Sequence, residues 1–181
     1  KFVEGRPYPE MPSVMARICG ICPVSHMMAS AKACDDLMAV EVPETAIKLR
    51  KLMNLAQLVQ SHALSFFHLA SADLIVGMDG DPTTRNIFGL INKKPEFAKD
   101  GVLLRKFGQG IIALLGGKSI HPAWVVPGGV SAPLTAEHRE TILAGIPDAL
   151  ARAKRGIEAF HEVKDRYPAE ADSFACFPTM F

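Results

Sequence analysis

From Glu44 to about Leu74 the chain runs without a glycine or a proline. Leu49, Leu52, Met53, Ala56, Ala63, Phe67 and Ala70 recur there at three- and four-residue steps, the spacing of one helical face. Leu55, Leu58, Val59, Phe66 and Leu69 make a second apolar side. A helix that is apolar on most of its circumference is buried, so this stretch predicts a long central helix with other helices packed round it. Pro43 suits the start of that helix, and Glu41-Val42-Pro43 ends an earlier one running from about Val24 to Met38. The expected fold class is therefore mainly α, a multi-helix bundle with a long central buried helix and few short strands.

The remaining segments fit around this helix. Lys1 to Met15 holds Pro7, Pro9 and Pro12 and is expected to be extended or turning. Gly77 to Pro82 reads as a turn region, after which Arg85 could pair with Asp81 or with a partner's carboxylate. Leu90 to Gly101, with Lys93, Lys94, Glu96 and Lys99, reads as an exposed connection. Gly101 to Leu115 is expected to be helical, with Leu104, Phe107, Ile111, Ile112 and Leu115 inward and Gly116-Gly117 as a left-handed stop. Ile120 to Pro133 reads as a fixed loop or short β-element anchored by Trp124, with His121 either bonding a buried carbonyl or lying near a subunit surface. Thr135 is a candidate N-cap for a helix to about Val163, bent near Gly145-Ile146-Pro147 and ended by Tyr167-Pro168.

Chemistry concentrates in Arg17-Ile18-Cys19-Gly20-Ile21-Cys22-Pro23, with His26 close behind. Two thiols at this spacing can bite one metal ion. Gly20 accepts a tight turn between them, and Pro23 suits the first turn of a helix. The thiols would then sit at the positive end of a helix dipole, where a negative sulfur is favoured. His26 shares the face of Cys22. Three other readings compete: a structural zinc site, a thioredoxin-like redox pair, and two packed core cysteines. Zinc usually asks for a second pair, whereas Cys34 and Cys176 stand alone. A redox pair asks for a preceding strand and a βαβ setting, and Glu10-Met11-Pro12-Ser13 is no strand. On the central helix, His62 and Asp73 share a face, and Ser61, Ser65 and His68 share another. His68 reads as a hydrogen-bonded core histidine.

The block Arg17 to His26 closely resembles the N-terminal metal-binding motif of [NiFe]-hydrogenase large subunits, an Arg-x-Cys-Gly-x-Cys-x-x-x-His pattern. Phe2-Val3-Glu4-Gly5-Arg6 resembles the family segment leading into it. Ser61-His62-Ala63-Leu64-Ser65-Phe66-Phe67-His68-Leu69 resembles the family's long His-rich helix. Asp81 to Asn86, Leu104 to Gln109 and Ile120 to Val130 resemble the soluble, NAD-reducing branch. These blocks follow one another in order from Lys1 to about Leu134.

The resemblance implies part of the catalytic large subunit of a soluble [NiFe] hydrogenase, which reversibly oxidises H2 to protons and electrons. It implies that Cys19 is a terminal ligand of nickel and that Cys22 bridges nickel to an iron carrying diatomic ligands. His26 would hydrogen-bond a cysteine sulfur, Arg17 would offset thiolate charge, and His62 would lie close to the metal. Ser61 stands where many membrane-bound relatives have an aspartate, which removes one carboxylate from above the metal. The glutamate that passes protons in relatives would fall immediately before Lys1 and is not Glu4. Relatives take two further thiolates from an Asp-Pro-Cys-x-x-Cys-x-x-His segment that is absent here. Residues 1–181 are accordingly expected to be a single incomplete domain, an internal piece of a larger protein.

Expected partners are a small subunit carrying an iron–sulfur cluster, with diaphorase subunits carrying flavin and NAD; this chain would not bind NAD itself. Other branches of the family, F420- or sulfur-reducing, are alternatives. So is a metal-free relative of the quinone-side subunit of respiratory complex I, although retention of both Cys19 and Cys22 argues against it.

Composition narrows the classes further. A net charge of +1 gives no reason to expect nucleic acid or an anionic membrane. No apolar run approaches the roughly 18 residues of a membrane span. Four cysteines are too few for a disulfide framework, which favours a cytoplasmic setting.

Overall fold

The computed structural model describes residues 1–173. The α-helices are α1 (Met11–Met15), α2 (Pro23–Leu37), α3 (Glu44–Leu64), α4 (Ile87–Lys93), α5 (Pro95–Gly116), α6 (Ala136–Val163) and α7 (Pro168–Ser173). Strands β1 (Val125–Val126) and β2 (Gly129–Val130) pair antiparallel, with Val125 opposite Val130. The mainly α class expected from the periodicity is what the chain adopts. Cys176, one of the two isolated cysteines, lies outside the described residues.

The central helix is α3. Pro43 precedes it in an extended conformation, at φ −55° and ψ 141°, and so sets the chain direction into the first turn. Beyond Leu64 the helix continues as wider π turns over Ser65–Ala70 and Ala72–Val76. Ser71 donates its hydroxyl to the Phe67 carbonyl at 2.6 Å, a local bond that competes with the regular helical ladder. The buried positions follow the wider turn. They step by three or four through Met53, Ala56, Gln60 and Ala63, and then by four through Phe67, Ser71 and Ile75.

Two apolar cores lie along this helix. The first joins Ala16, Val24 and Met27 to Met53, Ile112 and Trp124. The second joins Ala63 and Phe67 to Leu90, Phe97, Leu104 and Val163. Burying a side chain such as Met53 contributes roughly 1.5–3 kcal/mol. Between α3 and the Phe67 turn that follows it on one side and α5 on the other, glycine sets the spacing at two sites. A Cβ on Gly101 of α5 would stand 2.3 Å from Phe67 Cβ, and one on Gly108 would stand 2.6 Å from the Ala56 carbonyl oxygen. Gly117 supplies the expected left-handed stop to α5, at φ 77°.

Ion pairs tie the elements together at the side. Asp35 on α2 meets Arg50 on α3 at 2.6 Å. Asp100 on α5 accepts from both Arg152 and Arg155 of α6, each at 2.6 Å. Thr135 caps α6 by accepting from the His138 N–H, as expected.

Several expectations need correction. The proline-rich N-terminal segment is not extended throughout, because Tyr8–Glu10 forms a 3-10 turn and Met11–Met15 is α1; Pro12 fits within the first turn of that helix, where no N–H is missed. Leu90 to Gly101 is no exposed connection. It is α4 and the start of α5, and Leu90, Phe97, Ala98 and Asp100 are buried while the lysines between them face out. Arg85 pairs with Asp73 at 3.4 Å, and Asp81 instead accepts from the Thr83 N–H. The second apolar side of the central helix is covered only in part: Val59 and Phe66 pack against the second core, whereas Leu55, Leu58 and, in the π turn, Leu69 are exposed.

Candidate metal centre

The cysteine loop stands on the first core. Ala16, fully buried, anchors a 3-10 turn that runs to Ile18. Cys19 is extended (φ −140°, ψ 132°), and Cys22 (φ −120°, ψ 42°) precedes α2, whose first residue is Pro23. Pro23 and Val24 are buried again. Buried residues therefore fix both ends, while Ile18 and Ile21 are exposed. Gly20 is not in the left-handed region, and a Cβ added to it would meet nothing within 4 Å. The loop's backbone in this chain thus does not demand a glycine there, contrary to expectation.

The Sγ atoms of Cys19 and Cys22 and a ring nitrogen of His26 all lie within 4.8 Å of one another. All three residues are half-buried, and the thiols are free. The packed-core reading fails on that exposure. Cys34 shows what a packed cysteine looks like here: it is buried, and its Sγ contacts the Tyr8 carbonyl at 3.5 Å.

The two thiols are not equivalent. The Cys22 N–H donates to Cys19 Sγ at 3.3 Å. Hydrogen bonds from the Cys22 thiol, and then from the N–H groups of Cys22 and Ile21, push Cys19 below the ordinary thiol range. Cys22 is pushed up by donating to Cys19, by burial and by the neighbouring thiolate charge. Of the two, Cys19 is therefore the more readily ionised. A metal cation bound across the two sulfurs would release their protons.

The other expected site residues are placed as follows. Arg17 turns its guanidinium back along the chain, donating to the Ser13 carbonyl at 2.9 Å and to its hydroxyl at 3.3 Å. His62 lies outside the cluster of three. It is exposed and lines an apolar groove of about 760 Å³ between α3 and α6, with Phe66, Phe107 and Phe160. His68 is half-buried; burial, with the nearby Arg105 charge, holds it below the ordinary histidine range despite a backbone hydrogen bond. His121 takes the buried-carbonyl option, with Nδ1 2.7 Å from the Ala16 carbonyl oxygen.

Sequence reasoning missed three supporting residues. Gln57 and Gln60 of α3 donate to the Ile21 carbonyl at 2.9 and 2.5 Å. Arg50, besides meeting Asp35, donates to the Gly129 and Val126 carbonyls of the hairpin at 3.0 and 2.7 Å. The signal for the glutamines was available: two amides on the otherwise apolar inner face of α3.

Comparison with known proteins finds hydrogenases. Residues 1–81 match the family model described as nickel-dependent hydrogenase. The vhu-type F420-non-reducing hydrogenase chain of Methanocaldococcus jannaschii is 42% identical over all of this chain, which spans 43% of that protein. The beta chain of the NAD-reducing hydrogenase HoxS of Cupriavidus necator is 38% identical over 99% of this chain and 39% of its own length. The structure of an NAD+-reducing [NiFe]-hydrogenase in the H2-reduced state superposes with a TM-score of 0.87 at 43% identity, covering 96% of this chain and 38% of that one. The chain therefore spans less than half the length of the relatives it matches.

Proposed function

The chain is homologous to the nickel-dependent hydrogenases, and from that premise we propose that it is part of the catalytic large subunit of a soluble [NiFe] hydrogenase that reversibly oxidises H2. The observation that carries the reading is the convergence of two thiol sulfurs and an imidazole within 4.8 Å at the head of α2. Soft thiolates suit nickel and iron, so the donor set fits the group. Cys19 and Cys22 would hold the metals, Cys19 as the more readily ionised donor. Held there, a nickel–iron centre with diatomic ligands on its iron supplies the cleavage of H2 into protons and electrons.

This chain's residues have narrower tasks. The half-buried His26 ring would hydrogen-bond a cysteine sulfur and tune its basicity. The N–H groups of Ile21 and Cys22 already favour the ionised form of Cys19. Arg17 lends positive charge beside the loop, and His62 sits on the groove that borders α3. Two thiolates leave a two-metal centre under-coordinated, so the remaining donors would come from elsewhere in a longer protein. The rest of the proposed assembly is an iron–sulfur small subunit, with flavin- and NAD-binding diaphorase subunits beyond it, in the cytoplasm. Among the described residues no helix is long and apolar enough to cross a membrane.

A second reading concerns only the electron acceptor. The similarity to F420-non-reducing hydrogenases supports an acceptor other than NAD equally well. Proteins that co-purify with the chain, with or without a flavin–NAD module, separate the two.

The function is tested by substitution in the intact complex. Cys19→Ser and Cys22→Ser should each abolish H2 oxidation and retention of nickel and iron, whereas Cys34→Ser should leave both near wild type. Damage from Cys34→Ser equal to that from Cys22→Ser would move the site away from this loop.

A further inference from the structure

Gln57 and Gln60 are among the most buried polar side chains described, 1% and 3% exposed. One turn apart on α3, they converge on a single acceptor, the Ile21 carbonyl, with Nε2–O distances of 2.9 and 2.5 Å. That acceptor fixes their orientation, because only the NH2 end of each amide can face a carbonyl. The opposite end, Oε1, is buried without a hydrogen-bond partner in both residues. An unmet buried acceptor destabilises a fold, and an apolar residue of similar shape would avoid that cost. One amide would suffice to satisfy the Ile21 carbonyl, so that need alone does not account for a second glutamine with a second unmet acceptor. What they deliver is a pair of donors to one carbonyl.

The Ile21 carbonyl and the Cys22 N–H belong to the same planar peptide unit. On its far side that N–H donates to Cys19 Sγ at 3.3 Å. A continuous chain of hydrogen bonds therefore runs from the two amides, through one peptide plane, to one sulfur. Donors on the carbonyl side polarise the peptide and strengthen the bond its N–H makes. They also fix the plane's orientation, which Ile21 cannot do, its side chain being exposed. The α3 backbone that carries the clamp is held by α5, since Gly108 passes so close that a Cβ would stand 2.9 Å from the Gln60 nitrogen.

We propose that Gln57 and Gln60 are positioning residues for the cysteine loop, a two-amide clamp that aims the Cys22 N–H at Cys19 Sγ and so sets the orientation and donor strength of that sulfur toward a bound metal. The role toward a metal rests on the proposed function; the clamp itself rests on the hydrogen bonds alone.

The test uses the full-length protein, metal-free for one measurement and within the loaded complex for the other. Gln57→Met and Gln60→Met keep length and burial but remove the donors. Met53→Leu, a fully buried change one turn earlier on α3, serves as the packing control. Hydrogen–deuterium exchange of the segment holding Cys19 to Cys22 in the metal-free protein should accelerate about tenfold in each glutamine variant, and more in the double variant. It should stay at the wild-type rate in Met53→Leu. In the loaded complex, the infrared bands of iron-bound diatomic ligands should be displaced by the glutamine variants and unmoved by Met53→Leu. Wild-type exchange in folded glutamine variants, or equal acceleration in Met53→Leu, overturns the clamp. Should the double variant fail to fold, the single variants carry the test. Absence of the infrared bands from the wild-type complex would contradict the metal reading, and the exchange result would still decide the clamp.

Discussion

Asp35 and Arg50 form a buried ion pair, 2.6 Å between Oδ2 and Nη1, which joins α2, the helix that follows the cysteine loop, to α3. Each partner also holds the β-hairpin: Asp35 accepts from the Gly128 N–H at 2.6 Å, and Arg50 donates to the Val126 and Gly129 carbonyls. Removing one partner of such a pair strands a buried charge and typically costs about 3–5 kcal/mol. Arg50→Met should therefore lower the unfolding free energy by about 3 kcal/mol, read as a shift of the urea midpoint. The double variant Asp35→Asn/Arg50→Met should lose less than the sum of the singles.

Two buried aspartates also give the fold an acid limit. Burial alone would raise Asp35, but hydrogen bonds from Arg50 and the Gly128 N–H, with the guanidinium charge, outweigh it and hold the carboxyl below the usual range. Asp100 is held down first by its hydrogen bond from Arg155, against burial, and further by Arg152. With the folded-state pKa below the unfolded one, the stability these groups contribute is complete above the ordinary aspartate value of about 4 and is lost as pH falls through the folded-state pKa. Urea midpoints taken from neutral pH downward should fall steeply in the acid range for wild type and more shallowly for Asp35→Asn/Asp100→Asn.

The path of the chain was legible wherever local chemistry decides it. The absence of breakers between Glu44 and Leu74, the Thr135 cap and the Gly116-Gly117 stop all specify structure through neighbours in sequence, and the helices follow them. The Cys19–Cys22–His26 cluster was legible for the same reason, because one loop and one helical turn bring it together. What escaped depends on contacts made over long separations. Leu90 to Gly101 carries enough lysine to look exposed, but Phe97 and Asp100 are drawn inward by Phe67 and by the two arginines of α6. The π turns after Leu64 shift which residues face inward, and no 3.6-residue pattern anticipates that. The partners of Gln57, Gln60 and Arg50 lie in other elements, so their side chains alone could not disclose them.

Helix spacing near the cysteine loop depends on Gly108. Its Cβ would press on the Ala56 carbonyl oxygen at 2.6 Å and on Gln60 at 2.9 Å. Gly108→Ala should therefore destabilise by about 1–3 kcal/mol, the usual cost of overpacking. Gly110→Ala, where a Cβ meets nothing within 4 Å, should be neutral or stabilise by up to about 1 kcal/mol. Chemical unfolding of the two variants side by side checks both signs.

His26 distinguishes tuning from ligation. As a hydrogen-bonding neighbour of a cysteine sulfur, its loss should cost about 10–100-fold in activity or metal affinity and leave the metals bound. His26→Ala should thus give a slower enzyme whose iron-bound diatomic bands persist, slightly displaced. Disappearance of those bands from a folded His26→Ala protein would make the histidine a ligand.

The central claim is that Cys19 and Cys22 hold a nickel–iron centre. Elemental analysis joined to infrared spectroscopy of the purified native complex tests it most directly, with Cys19→Ser/Cys22→Ser prepared in parallel. The account predicts nickel and iron in the wild type together with iron-bound diatomic bands, and loss of all three in the double variant. Zinc in place of nickel, or nickel and iron retained in full by the double variant, would contradict it.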